Sequence, residues 1–86
     1  MRRSKEEIIE QILEICNKPT NKTKIVYQAN LSFHTADPYL DLLVDAGFLE
    51  TFGDTTIQYR ITSKGLEVLK HIKAIEASLQ PADDSY

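Results

Sequence analysis

Asp37, Asp41 and Asp45 fall at every fourth position of the stretch "SFHTADPYLDLLVDAGFLE", residues 32–50, which contains no Lys or Arg. On a helix that spacing puts the three carboxylates on one face. His34 precedes Asp37 by three residues and Asp41 by seven, a spacing that suits metal ligands. No fourth ligand or outer shell of partners is visible, so no metal or other cofactor is expected. A carboxylate can accept a hydrogen bond from cytosine N4, but three of them beside phosphates would repel. The plain reading is a solvated helix face, and a positively charged protein partner is the other use for it.

Cations cluster elsewhere. Lys18, Lys22 and Lys24 lie within seven residues, Arg2, Arg3 and Lys5 open the chain, and Arg60 and Lys64 come late. Such groups bind phosphate or simply keep a protein soluble. No paired-carboxylate pocket, nucleophile–histidine pairing or phosphate loop is present, so an enzyme is not expected. Cys16 lies on an apolar helix face and reads as core. A single cysteine forms no internal disulfide, and there is no metal-knuckle spacing.

The chain that must position these groups has 86 residues, 42% of them hydrophobic, enough for one small core of Ile, Leu and Val. Net charge is −3 and uneven: residues 1–36 carry six Lys/Arg against four Asp/Glu, and residues 37–86 carry four against nine. Bulk charge therefore gives no argument for nucleic acid, and only a local basic patch would support it. The charged start "MRRSKEEIIEQ" has no apolar run that suits a signal peptide or membrane span. No membrane association and a cytoplasmic, reducing location are expected.

Ser4 with Glu7 forms a capping box, followed by the apolar face Ile8, Ile9, Ile12, Leu13 and Cys16. Asn17, Lys18 and Pro19 stop this first helix. A short second helix is expected from about Asn21 to Ala29, with Asn21 as cap and Ile25, Val26 and Ala29 inward. "NLS" is a turn, with Leu31 plugging the core. In the third helix Phe33, Ala36, Leu40, Leu43, Val44 and Gly47 recur at helical spacing. Pro38 fits badly in a helix interior, so Asp37 is expected as N-cap and Pro38 at the first helical position, after an irregular turn at 33–36. The alternative is a helix that starts at Ser32 and kinks. Gly47 suits a left-handed helix end. "FLETF" and "TIQYRI" read as a hairpin around "GDT". Thr62 caps a last helix over 63–80, about 27 Å long at ~1.5 Å per residue, which Pro81 ends. Three helices, a hairpin and a long helix make a winged helix-turn-helix, mainly α with a small β-hairpin. Residues 1–80 are expected as one domain and 81–86 as a flexible tail.

The segments "KTKIVYQANLSF" (22–33), "YLDLLVDAGFLE" (39–50) and "YRITSKGLEVL" (59–69) resemble archaeal winged-helix transcription-regulator domains. They look most like the ten-kilodalton coiled-coil DNA-binding proteins of the Sulfolobus chromatin-associated type. The Lys-Thr-x-Ile-x-Tyr-x-Ala-Asn-Leu-Ser segment is the more specific, and Thr-x-Lys-Gly is shared by many winged-helix groups. The resemblance implies double-stranded DNA as partner and dimerisation through the last helix. Asp37-Pro38 in the third helix and the early stop at Pro81 depart from the pattern.

In helix-turn-helix docking the first helix of the unit crosses the DNA backbone and the second reads bases. Lys22 and Lys24 are then placed for phosphate, with the start of helix 2 adding donors, and Arg60 and Lys64 can add contacts from the wing. Six contacts at most would give a salt slope of log affinity near about −5. His34, Thr35 and Tyr39 are the polar candidates for base edges, and Tyr27 reads as a half-buried scaffold residue. On the last helix, Leu66 and Leu69 are expected on the core. Val68, Ile72, Ile75 and Leu79 form a seam that suits a homodimer of paired helices. Packing of that seam against helix 1 is the alternative. The expectation is a dimeric DNA-binding transcriptional regulator or chromatin-associated protein. The competing class is a winged-helix protein-interaction module whose acidic helix meets a protein partner.

Overall fold

The computed structural model describes residues 3–79, so Arg2, Pro81 and the expected tail 81–86 lie outside it. Seven elements follow in the order α1 (Lys5–Ile15), β1 (Thr20–Asn21), α2 (Lys22–Ala29), α3 (Phe33–Asp45), β2 (Leu49–Phe52), β3 (Gln58–Ile61) and α4 (Ser63–Ser78). This is the expected winged helix, with one short strand added ahead of α2.

Helices α1, α2 and α4 begin where the sequence says they should. The Ser4 hydroxyl accepts from the Glu7 N–H while the Glu7 carboxylate accepts from the Ser4 N–H, closing the capping box of α1. Asn21 Oδ1 accepts from the Lys24 N–H at 2.9 Å and starts α2. Thr62 Oγ1 accepts from the Gly65 N–H and donates to the Gly47 carbonyl, so one side chain caps α4 and fastens it to the end of α3. The α2–α3 turn is built on Asn30, whose φ of 56° is one that Asn tolerates better than most residues. Gly47, at φ 82°, follows the α3 cap residue Ala46 as expected.

The start of α3 corrects the sequence reading. Ser32, not Asp37, is the N-cap: its hydroxyl accepts from the Thr35 N–H at 3.1 Å, and Pro38 sits inside the helix. Pro38 costs α3 the bond that its missing N–H would give the His34 carbonyl. Both residues are exposed, so water can serve that carbonyl in place of the helix. A good cap upstream thus outweighs one lost bond.

The core joins Ile8, Ile12, Leu13 and Cys16 of the α1 region to Ile25 of α2, Leu40 and Leu43 of α3, Leu49 and Leu69. Val26 and Ala29 are buried as well, and Leu31 packs against the cluster. Two expected core residues are on the surface. Phe33 is the first residue of α3 and stays exposed, the inward stripe beginning at Ala36. Leu66 is exposed because the inward stripe of α4 runs through Gly65 and Leu69; one residue on from Gly65 turns Leu66 about 100° away. Gly65 has a reason of its own: a Cβ there would lie 2.2 Å from the Phe48 carbonyl oxygen, so only glycine lets α4 start this close to the α3–β2 turn.

The sheet order is β1-β3-β2, all antiparallel. The β2–β3 hairpin sets Glu50 opposite Arg60 and Thr51 opposite Tyr59, and β1 sets Thr20 opposite Tyr59 on the other edge. Strand β3 is also tied to the end of α1 by the Ile61 N–H donating to the Cys16 carbonyl. By holding Asn21 against β3, strand β1 brings the start of α2 beside the wing loop.

Candidate nucleic-acid interface

Lys22 stands at a junction of α2, α3 and the wing. Its Nζ lies 2.6 Å from Asp37 Oδ1 of α3. Lys22 also lines a cleft of about 360 Å³, together with Asn21 and Thr23 from the start of α2 and Thr55, Thr56, Ile57 and Tyr59 from the wing. The contact with Asp37 raises the Lys22 pKa above its ordinary value more than desolvation lowers it, and Tyr59 and Asp41 push the same way. The lysine therefore stays fully charged at neutral pH. Asp37 Oδ1 is shielded from solvent, and the ammonium of Lys22 is the group that faces it.

The cleft can hold an anion. The start of a helix carries partial positive charge, three threonines line the cleft, and Lys22 supplies a formal charge. Sequence reasoning found Lys22 but not Thr23, Thr55 or Thr56. No local pattern could have named them, because their meeting depends on β1 pairing with β3.

Other expected contacts are dispersed. Lys24 is exposed on α2 beside Thr23, with no ion pair among the described residues. Arg60 points away from the cleft: Glu50 Oε2 lies 2.7–2.8 Å from its guanidinium, which stacks 4.8 Å from the centre of the Phe52 ring. Lys64 lies 5.5 Å over the Phe48 ring, against Gly47, and does not line the cleft. His34 and Thr35 are exposed on the first turn of α3, where Ser32 donates to the Thr35 hydroxyl. Tyr39 is half-buried against the core and meets Lys5, Pro38 and Leu42 at a second, smaller hollow. Tyr27 corrects its reading as a half-buried scaffold: it is 78% exposed on the outer side of α2. Arg3, counted with the basic residues, instead serves the fold. Its guanidinium donates to the carbonyls of Ala29 and Asn30 and to Gln11, clamping the α2–α3 turn to α1.

The acidic stripe divides. Asp37 is engaged with Lys22, while Asp41 and Asp45 are exposed with Pro38 and Leu42 along the outer side of α3. Among the described residues no group of His, Cys, Asp or Glu side chains is placed to hold a metal ion. Cys16 is fully buried, and burial pushes its thiol up to about 12.

The seam of α4 also divides. Val68 packs against the core and Ile72 is half-buried, whereas Ile75 and Leu79 are 59% and 75% exposed. The helix itself ends at Ser78, with Leu79 as its cap. Lys73 ties α4 to α1 through Glu14 and, at 3.7 Å, Glu10. No helix of the described residues is long and apolar enough to cross a membrane.

Among the described residues, four helices and a three-stranded antiparallel sheet whose β2–β3 hairpin forms the wing define a winged-helix domain. The chain belongs to the winged helix-turn-helix family, whose model matches residues 2–80. It is similar to Sso10a-2, a DNA-binding protein from Sulfolobus solfataricus, whose crystal structure superposes with a TM-score of 0.82 at 31% identity. That likeness covers 96% of this chain and 92% of that one. It is also 35% identical over 82 residues to the uncharacterized protein MJ0290 of Methanocaldococcus jannaschii. There the match takes in 94% of this chain but only 37% of the length of MJ0290.

Proposed function

We propose that this chain binds double-stranded DNA chiefly through the phosphate backbone. The observation that carries the reading is the position of Lys22, at the meeting of the α2 start, the outer side of α3 and the wing cleft. Lys22, Lys24 and the threonines of the cleft hold phosphates, and His34 and Thr35 are the α3 side chains free to reach base edges. Tyr39 contributes its ring edge from a half-buried position, and Arg60 and Lys64 add long-range attraction from the wing side. With two aspartates exposed on α3 and no cation there, base readout is weak and affinity comes from phosphate contacts. The likeness to a DNA-binding protein over nearly the whole chain supports the reading. Residues 1–80 act as one domain. The chain works as a homodimer joined through α4, with Ile75 and Leu79 as the apolar contacts, Ile72 at their edge and Val68 anchoring the helix to its own core. Its role is that of an archaeal transcriptional regulator or chromatin-associated protein in the cytoplasm, with no catalytic step.

Titration of a fluorescent random-sequence duplex at low and moderate salt tests this. Binding that weakens steeply with salt and depends little on sequence is expected, and no binding at low salt refutes it. A second reading rests on Asp41, Asp45 and Leu42, which give the outer side of α3 an acidic, partly apolar surface suited to a basic protein partner. Asp41→Asn separates the two. Tighter DNA binding places α3 at the groove, and unchanged DNA binding with loss of a protein partner favours the interaction module.

A further inference from the structure

Building on the DNA reading, we propose that Asp37 is an internal competitor for the phosphate that Lys22 receives, and so sets how strongly the interface holds DNA. The ammonium of Lys22 is already occupied, with Asp37 Oδ1 at 2.6 Å. The carboxylate reaches it from α3, and Lys22 also lines the cleft formed with Asn21, Thr23, Thr55 and Thr56, where an anion would compete for the same ammonium. Apart from the shielded Oδ1, both side chains keep access to water, 40% for Lys22 and 50% for Asp37, so the pair can open without unfolding anything. Asp41 adds to the negative field around the same ammonium.

Two consequences follow when a phosphate arrives. Opening an exposed ion pair opposes binding by up to about five-fold, the equivalent of the upper end of such pairs at ~1 kcal/mol. The freed carboxylate also regains a counterion as the phosphate loses one, so this contact adds little to the salt dependence. An unpaired lysine would contribute a slope of about −0.9. A ligand with one phosphate gains little at such a site, whereas a duplex that engages several cations at once carries the cost. Asp37 thus selects for polyanions and keeps the complex easily reversed.

The test is a double-mutant cycle. Wild type, Asp37→Asn, Lys22→Gln and the double variant are titrated with one labelled random duplex at two salt concentrations. Asp45→Asn is the control for the same charge change away from Lys22. Asp37→Asn should tighten binding by up to about five-fold beyond any gain from Asp45→Asn, and steepen the salt slope by up to roughly one unit. Lys22→Gln should cost more in the Asp37→Asn background than in wild type. Circular dichroism checks each fold, and Asp37→Ser replaces Asp37→Asn if that variant does not fold. Equal gains from Asp37→Asn and Asp45→Asn, or equal losses from Lys22→Gln in both backgrounds, overturn the competitor role and leave DNA binding standing. Weaker binding by Asp37→Asn also overturns it, and marks a carboxylate that contacts the duplex. Absence of binding by wild type at low salt removes the DNA reading and this inference together.

Discussion

Replacing Ile75 with Ala tests the dimer most directly, because two-fold pairing doubles the effect of any substitution at the interface. Ile75 is 59% exposed on α4, and full burial of such a side chain contributes about 1.5–3 kcal/mol. A partner helix covering the exposed part would gain roughly 1–2 kcal/mol, of which Ala keeps a fraction, leaving a loss of about 1 kcal/mol per copy. Both copies change together, so dimer dissociation should become easier by about 2 kcal/mol, or roughly 30-fold in Kd. The helix itself does not suffer, since Ala is the better helix former at an exposed site. Sedimentation equilibrium over a range of concentrations measures the shift, with circular dichroism to confirm that α4 persists. Leu79, 75% exposed, should respond similarly, while Val68→Ala should lower stability, because that side chain packs on its own core. A wild-type chain that stays monomeric at high micromolar concentration, or an Ile75→Ala variant with unchanged Kd, refutes the reasoning.

Lys24→Ala should weaken binding to every duplex alike and reduce the salt slope by about one unit, as expected for an unpaired lysine on phosphate. Fluorescence titration at two salt concentrations reads both. Thr62→Ala removes the cap of α4 and the bond to the Gly47 carbonyl, and should cost about 1–2 kcal/mol in urea unfolding. Gly65→Ala should destabilise the fold, because the new Cβ meets the Phe48 backbone; a thermal melt unchanged from wild type would contradict the close approach. Cys16 has a folded thiol pushed up to about 12, above the unfolded value of about 8.5. Its contribution is therefore complete below about pH 8.5 and is lost as pH rises from there. Wild type should lose stability relative to Cys16→Ala between pH 8 and 10, and the native thiol should react with an aromatic disulfide only as fast as the fold opens.

The elements were legible in the sequence because their signals are local. Ser4 with Glu7, Asn21 and Thr62 each announce a helix start by what one side chain can offer nearby N–H groups. Gly47 announces an end, and the apolar spacing of α1 and α2 names the faces that are buried. Where two local signals conflicted, as at Ser32 and Asp37-Pro38, sequence alone could not weigh a good cap against one lost hydrogen bond, and the fold chose the cap. The faces of α4 were harder still. Leu66 and Val68 are both apolar, and only the docking of Gly65 against the Phe48 carbonyl fixes the rotation that exposes one and packs the other. The site belongs mostly to tertiary structure. Lys22 was visible as a cation near a helix start, but its pairing with Asp37, fifteen residues away, needs the fold to bring the start of α2 against α3. The meeting of Thr23 with Thr55 and Thr56 needs the two-residue strand β1, too short to leave a period in the sequence. Arg3 was visible in the sequence only as one of the basic residues at the start of the chain, and the folded chain shows its guanidinium spent on the carbonyls of the α2–α3 turn. A sequence states which charges exist. Which of them remain free for a partner depends on long-range neighbours, since an ion pair or a capped carbonyl forms only where the fold closes the distance.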